Sequence, residues 1–208
     1  MRRRNIRWTG YLLCAVVAYA AVWGVRAMAK AADEVMLTLG EPYEQVREQS
    51  RSTLPAASLG MFWGGFVTRP AQFRFTADGY GFVTPAAKYL YIGVDKSGKV
   101  ESVSLSPQIE TLPLDKAIAI VLDLQDQLQR HGWHQIKIHR FPPIAKTPAM
   151  VASIRRGDDP QSYWQAAGKY QVALDIRRFV HEDRPKDERY LVTLELSGPP
   201  LVEEYPGD

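Results

Sequence analysis

Three patterns of apolar and polar residues follow one another along the chain. The first has no period. Trp8 to Val25, WTGYLLCAVVAYAAVWGV, is a run of 18 consecutive uncharged residues. As a helix at ~1.5 Å per residue it spans roughly 27 Å, the depth of a bilayer's hydrocarbon core. Arg2, Arg3, Arg4 and Arg7 precede it, and Trp8, Tyr11 and Trp23 lie near its ends, where amphipathic rings favour the headgroup region. The pattern predicts a transmembrane signal anchor over 8–25. It also predicts a cytoplasmic basic segment over 1–7 and a single pass that puts the remainder on the far, periplasmic side of a bacterial inner membrane. Lipid around residues 8–25 is therefore the first expected partner. Ala27-Met28-Ala29 has the small-x-small form read by a signal peptidase, so a cleaved signal peptide is the competing reading; the length of the apolar run and Arg26 beside the site favour the anchor.

The second pattern has period two and predicts strands. After an expected tether over 26–38, Phe73 and Phe75 alternate with Gln72, Arg74 and Thr76, and Asp78-Gly79 offers a turn before Tyr80, Phe82 and Val83. Tyr89 to Val94 runs into Asp95-Lys96-Ser97-Gly98, and Val100 to Leu105 leads away, which predicts a hairpin with Gly98 at positive φ. A strand is expected over 135–141, ended by Pro142-Pro143. Tyr170 to Ile176 and Tyr190 to Leu196 read as two antiparallel strands, joined by a charged loop from His181 to Glu188.

The third pattern has the helical period. Leu114, Ala117, Ile118, Val121, Leu124 and Leu128 share one face, Pro113 suits the first turn and Gly132 follows the last, so a long amphipathic helix is expected over 113–131. A shorter helix is expected over 42–51, started by Pro42 with Glu41 and Glu44 at the positive end of its dipole. Residues 148–167 predict two short helices separated by Gly157-Asp158-Asp159-Pro160. The fold expected for 39–198 is α+β, an antiparallel sheet packed by one long helix and short ones, with an irregular tail over 199–208. The segment Leu39-Gly40-Glu41-Pro42-Tyr43-Glu44-Gln45-Val46 resembles the opening of small periplasmic assembly lipoproteins of the BamE/SmpA type. That likeness covers eight residues of 208, lacks the family's cysteine anchor and carries no assignment.

Charge changes the picture in one respect. The formal net charge is +3, yet residues 1–30 hold six of the 26 Lys and Arg and none of the 23 Asp and Glu, leaving the body with 20 cations against 23 acids, a net of −3. An acidic body is a poor neutraliser of phosphates, so no nucleic-acid partner is expected, with only Arg155, Arg156, Arg177 and Arg178 forming a candidate local patch. The one cysteine, Cys14, lies within the apolar run, so the body has no disulfide or thiolate chemistry of its own.

Motifs that carry catalysis are missing from the sequence: no G-x-x-x-x-G-K-[ST], no G-x-G-x-x-G after a strand, no G-x-S-x-G and no H-E-x-x-H. His131, His134 and His139 lack a matching carboxylate at ligand spacing, and Asp158-Asp159, Glu182-Asp183 and Glu203-Glu204 read as solvated surface. Neither cofactor, metal nor enzymatic activity is expected. Two stretches are candidate partner-binding sites: Met61, Phe62, Trp63 and Phe66, set among Gly60, Gly64 and Gly65, and Tyr163 and Trp164 in the excursion from 142 to 168. The simpler reading of the first is a core strand with close neighbours at its glycines, and of the second a helical lid. The expected function is a membrane-anchored, periplasmic, non-enzymatic binding protein with a protein partner in the envelope. The form ranked first is an accessory subunit of an envelope complex, then an immunity or inhibitor protein against a secreted toxin, then an enzyme with an unrecognised site.

Overall fold

The computed structural model describes residues 33–58, 62–136 and 142–199. The expected transmembrane run over 8–25, Cys14, Met61, the end of the strand over 135–141 and the tail from 200 lie outside the described residues. Among the described residues no helix is long and apolar enough to cross a membrane.

The described chain is mixed α+β. Its strands are β1 (Glu34–Leu37), β2 (Trp63–Phe66), β3 (Gln72–Phe75), β4 (Phe82–Val83), β5 (Tyr89–Val94), β6 (Val100–Ser106), β7 (His134–Ile136), β8 (Gln161–Ala166), β9 (Tyr170–His181) and β10 (Arg184–Ser197). Its helices are α1 (Tyr43–Gln49), α2 (Leu114–Arg130) and α3 (Pro148–Arg156). Seven strands pair antiparallel in the order β2-β5-β6-β10-β9-β8-β7, while β1, β3 and β4 make a smaller sheet in which β1 runs parallel to β3.

The elements form where the patterns put them because each has a buried stripe. Helix α2 buries Leu114, Ala117, Ile118, Val121, Leu124 and Leu128 against β9 and β10, and Gly132 turns the chain out of it at φ +75°. Each such large side chain, fully buried, contributes about 1.5–3 kcal/mol. The β5–β6 hairpin closes as expected: Asp95 Oδ1 accepts from the Ser97 and Lys99 amides at 2.8 and 2.9 Å, and Gly98 sits at φ +81°. The Lys99 amide first, and then the Ser97 hydroxyl donating at 2.7 Å, hold the Asp95 carboxyl below its ordinary pKa. The small sheet is tied to the end of α2 by rings. Phe75, Phe82 and Trp133 pack within 6.0 Å of one another, and Trp133 Nε1 donates to the Tyr80 carbonyl at 2.9 Å.

Four expectations are corrected. One sheet was expected, and the described chain has two. The tether over 26–38 contains β1, whose Val35 and Leu37 are fully buried; a short strand covered on both sides shows no alternation to read. The second short helix within 148–167 is β8, where Ser162, Trp164 and Ala166 face the core alternately with Gln161, Tyr163 and Gln165. The loop from His181 to Glu188 is strand, because β9 and β10 run on past the sheet as a two-stranded ribbon to a tight turn at Glu182-Asp183.

Candidate functional site: an aromatic corner of the seven-stranded sheet

Strand alternation gives the large sheet two unlike faces. The inner face (Leu90, Ile92, Val103, Leu105, Leu194, Val192, Leu174, Val172) is buried in the core. The outer face carries Ser102, Ser104 and Ser106 on β6, Thr193, Glu195 and Ser197 on β10, and Ala173 and Asp175 on β9. At its β2–β5 end that face turns aromatic.

Strand β2 explains the corner. Its sequence, Trp-Gly-Gly-Phe, pairs with β5 in the register Trp63↔Val94, Gly64↔Gly93, Gly65↔Ile92 and Phe66↔Tyr91. Trp63 therefore faces inward, edge-on to the buried Tyr43 ring with centroids 5.0 Å apart. Phe66 faces outward, with the Tyr91 ring at 4.8 Å and the Tyr89 ring at 5.6 Å. The two glycines are needed because rings cross β2 on both faces. A Cβ on Gly64 would overlap the Tyr91 ring, and one on Gly65 would come 2.7 Å from the Tyr43 hydroxyl. That hydroxyl donates to the Pro55 carbonyl at 2.9 Å, and burial pushes its pKa up to about 12.

Phe62, Phe66, Tyr89 and Ile109 are all strongly exposed, at 63%, 50%, 48% and 58%. A groove of about 400 Å³ runs from Phe66 and Tyr89 across Ser106 to Ile109 and Leu191. Its floor is braced by the buried Gln108, whose amide donates to the Glu110 and Tyr190 carbonyls at 2.9 and 3.1 Å and accepts from the Val192 amide at 2.9 Å. Two exposed lysines flank the aromatic strip: Lys96 Nζ lies 5.1 Å from the Phe62 ring centroid, and Lys88 lines the groove.

The sequence candidates divide between the faces. Phe62 and Phe66 belong to the corner. Tyr163 lies on the same outer face and in the same cross-strand row, Phe66–Tyr91–Ser104–Glu195–Ala173–Tyr163. Five strand steps of ~4.8 Å put it roughly 24 Å away, so it is not part of one site with Phe66. Burial raises the pKa of both Tyr163 and the neighbouring Asp175, with Arg177 acting on Asp175 in the opposite direction. Trp63 and Trp164 face the core; Trp164 is 6% exposed, and its Nε1 donates to Ser162 Oγ at 3.3 Å. Met61 lies outside the described residues. Tyr89, Tyr91, Ile109 and the two lysines escaped the sequence reading. A signal existed in Tyr-Leu-Tyr-Ile, where both parities of β5 are bulky and only one can face the core.

The candidate arginine patch is internally paired. Arg155 meets Glu188 at 2.9 Å, Arg156 meets Asp158 at 2.7 Å, Arg177 meets Asp175 at 3.3 Å, and Arg178 donates to the Arg155 carbonyl at 3.0 Å. Among the described residues no three His, Cys, Asp or Glu side chains come together as a metal site. No protein-family model, curated protein or solved structure matches the chain.

Proposed function

We propose that this protein is a non-enzymatic, protein-binding accessory subunit of a bacterial envelope complex, anchored by residues 8–25, which holds its partner at the aromatic corner. The observation that carries the reading is one of placement. Six large apolar side chains are exposed among the described residues, and three of them (Phe66, Tyr89 and Ile109) line one groove, with Phe62 further along the same sheet edge beside Lys96. Scattered exposed apolar residues need no explanation, whereas a contiguous aromatic patch marks a contact surface. Covering Phe66 and Tyr89 would contribute about 1.5–3 kcal/mol per ring, the scale of an interface hot spot. The basic, apolar N-terminus supports the membrane side of the proposal, and the acidic body supports a protein rather than a nucleic-acid partner.

The test is affinity capture from detergent-solubilised native membranes with the wild-type chain and with the double variant Phe66→Ser, Tyr89→Ser. A stoichiometric partner lost from the variant, at an unchanged unfolding temperature, supports the proposal. A partner retained in full by the variant refutes the corner as its site. Exchanging 8–25 for a foreign transmembrane segment separates the two non-enzymatic roles: a complex subunit loses function, while an inhibitor keeps it.

A further inference from the structure

Resting on that reading, we infer that the corner takes its partner as an added β-strand: an extended peptide segment with apolar side chains at alternate positions and a carboxylate towards each end. Strand β2 terminates the seven-stranded sheet. The Val67 amide donates across to the Leu90 carbonyl at 3.2 Å, one step beyond the Phe66↔Tyr91 pair. Antiparallel ladders alternate hydrogen-bonded and non-bonded pairs, so Gly65 and Trp63 share the inward sense of Val67. Gly64 and Phe66 therefore turn their N–H and C=O groups away from β5, and among the described residues no strand pairs with them.

Besides shortness, which β2 has at four residues, edge strands resist pairing through charges or proline on the strand itself. Strand β2 carries neither. Its cations stand at the two ends of the strip instead: Lys96 by Phe62, and Lys88 beside Tyr89 and the groove. Neither lysine forms an ion pair among the described residues. A strand laid ~4.8 Å outside β2 would bring alternate side chains beside Phe62 and Phe66. Its two ends would lie towards the two lysines, and it would stop at Phe66, because Thr53 Oγ1 already accepts from the Thr68 and Arg69 amides at 2.8 and 3.1 Å; the groove lies on the other side of Phe66, over β5, β6 and β10. Charge also selects the place. The body beyond residue 30 is net negative, so Lys88 and Lys96 are what would draw an acidic segment to this edge, and Glu110 is the acid nearest to them in the groove lining. An anionic lipid surface would suit aromatics and lysines too, but hydrocarbon offers no partner for the outward main-chain groups of Gly64 and Phe66, and this favours a peptide.

The experiment uses the full chain in mild detergent. The probe is a fluorescein-labelled nine-residue peptide alternating Val and Thr, with Glu at both ends; its controls are the same peptide ended in Lys and one N-methylated at alternate amides. The expected result is that the Glu-ended peptide binds about tenfold more tightly at low salt, a ratio equivalent to ~1.4 kcal/mol. Lys88→Glu with Lys96→Glu should reverse that preference, and N-methylation should abolish binding. If neither charge nor N-methylation matters while the Phe66→Ser, Tyr89→Ser chain still loses its native partner, strand addition is wrong and the protein-binding reading survives. If anionic vesicles bind in place of any peptide, and the lysine variant releases them, both are wrong.

Discussion

Replacing either glycine of β2 by alanine tests whether neighbour mobility, rather than geometric overlap, decides the cost of a clash. At Gly64 the added Cβ overlaps the Tyr91 ring more deeply than the Cβ at Gly65 approaches the Tyr43 hydroxyl. Overlap alone therefore ranks Gly64→Ala as worse. Mobility reverses the ranking. Tyr91 is half-exposed on the outer face and can swing into solvent, losing its packing on Phe66, a term of about 0.5–1.5 kcal/mol. Removing a glycine from the unfolded chain returns about 0.4–1 kcal/mol, so Gly64→Ala should lie near zero. Tyr43 is fully buried and held through its hydroxyl to Pro55, so it has nowhere to go. Breaking that bond and leaving the buried Tyr43 hydroxyl without a partner costs about 1–3 kcal/mol, for a net of about 1–2 kcal/mol after the same offset.

In a domain of this size each kcal/mol moves the melting temperature by ~2–4 °C. Gly65→Ala should thus melt about 2–8 °C lower and Gly64→Ala within ~2 °C of wild type, as followed by tryptophan fluorescence. A second arm isolates the cause. In a Tyr43→Phe background the hydroxyl is already gone, so Gly65→Ala should cost about 1 kcal/mol less than in the wild type. A larger penalty at Gly64, or strict additivity of Tyr43→Phe and Gly65→Ala, would refute the reasoning.

Three further outcomes are expected. Trp164→Ala should destabilise the fold by about 3–5 kcal/mol in urea titration, because Trp164 fills the core; a partner-binding defect at unchanged stability would contradict its inward placement. Gln108→Ala should cost about 1–3 kcal/mol by stranding the Val192 amide, while the Tyr190 carbonyl keeps the Leu112 amide at 3.0 Å, and thermal unfolding would expose a milder effect. Glu188 is held below its ordinary pKa by the Tyr190 hydroxyl first and by Arg155 second. A depressed carboxyl contributes stability above its unfolded-state value of about 4.5, and that stability is lost as pH falls through the folded value. Glu188→Gln should therefore flatten the loss of stability as pH falls below about 5, and a curve parallel to the wild type would count against the pairing.

Sequence legibility followed the range of the forces. Helix α2 and the β5–β6 hairpin were readable because their signals are local: a stripe at three- and four-residue spacing, and an Asp-x-x-Gly turn with Gly98 free to adopt positive φ. Strand β8 was misread because Gln161, Ser162, Gln165 and Ala166 have weak strand preference, and only pairing with β9 makes them extended. The ribbon from 177 to 189 was misread because its charges looked like loop; cross-strand pairs such as Phe179↔Arg189 hold it. The corner needed information no local window contains. That Phe66 faces out with Tyr89, while Trp63 faces in on Tyr43, depends on the register of β2 against β5, nearly thirty residues later in the chain.

Strand β10 comes last among the described strands but lies between β6 and β9 in the middle of the large sheet. Its partner residues Leu194 and Leu105 are almost ninety positions apart, so the contact that joins the two halves is among the least local in the molecule. A nascent chain would display two open edges, β6 and β9, until β10 itself had left the ribosome. The joining of the two halves of the sheet consequently waits for β10, and a chain without it is a natural client for holding factors. A premature stop before Tyr190 would leave two unjoined sheet fragments rather than a smaller working protein.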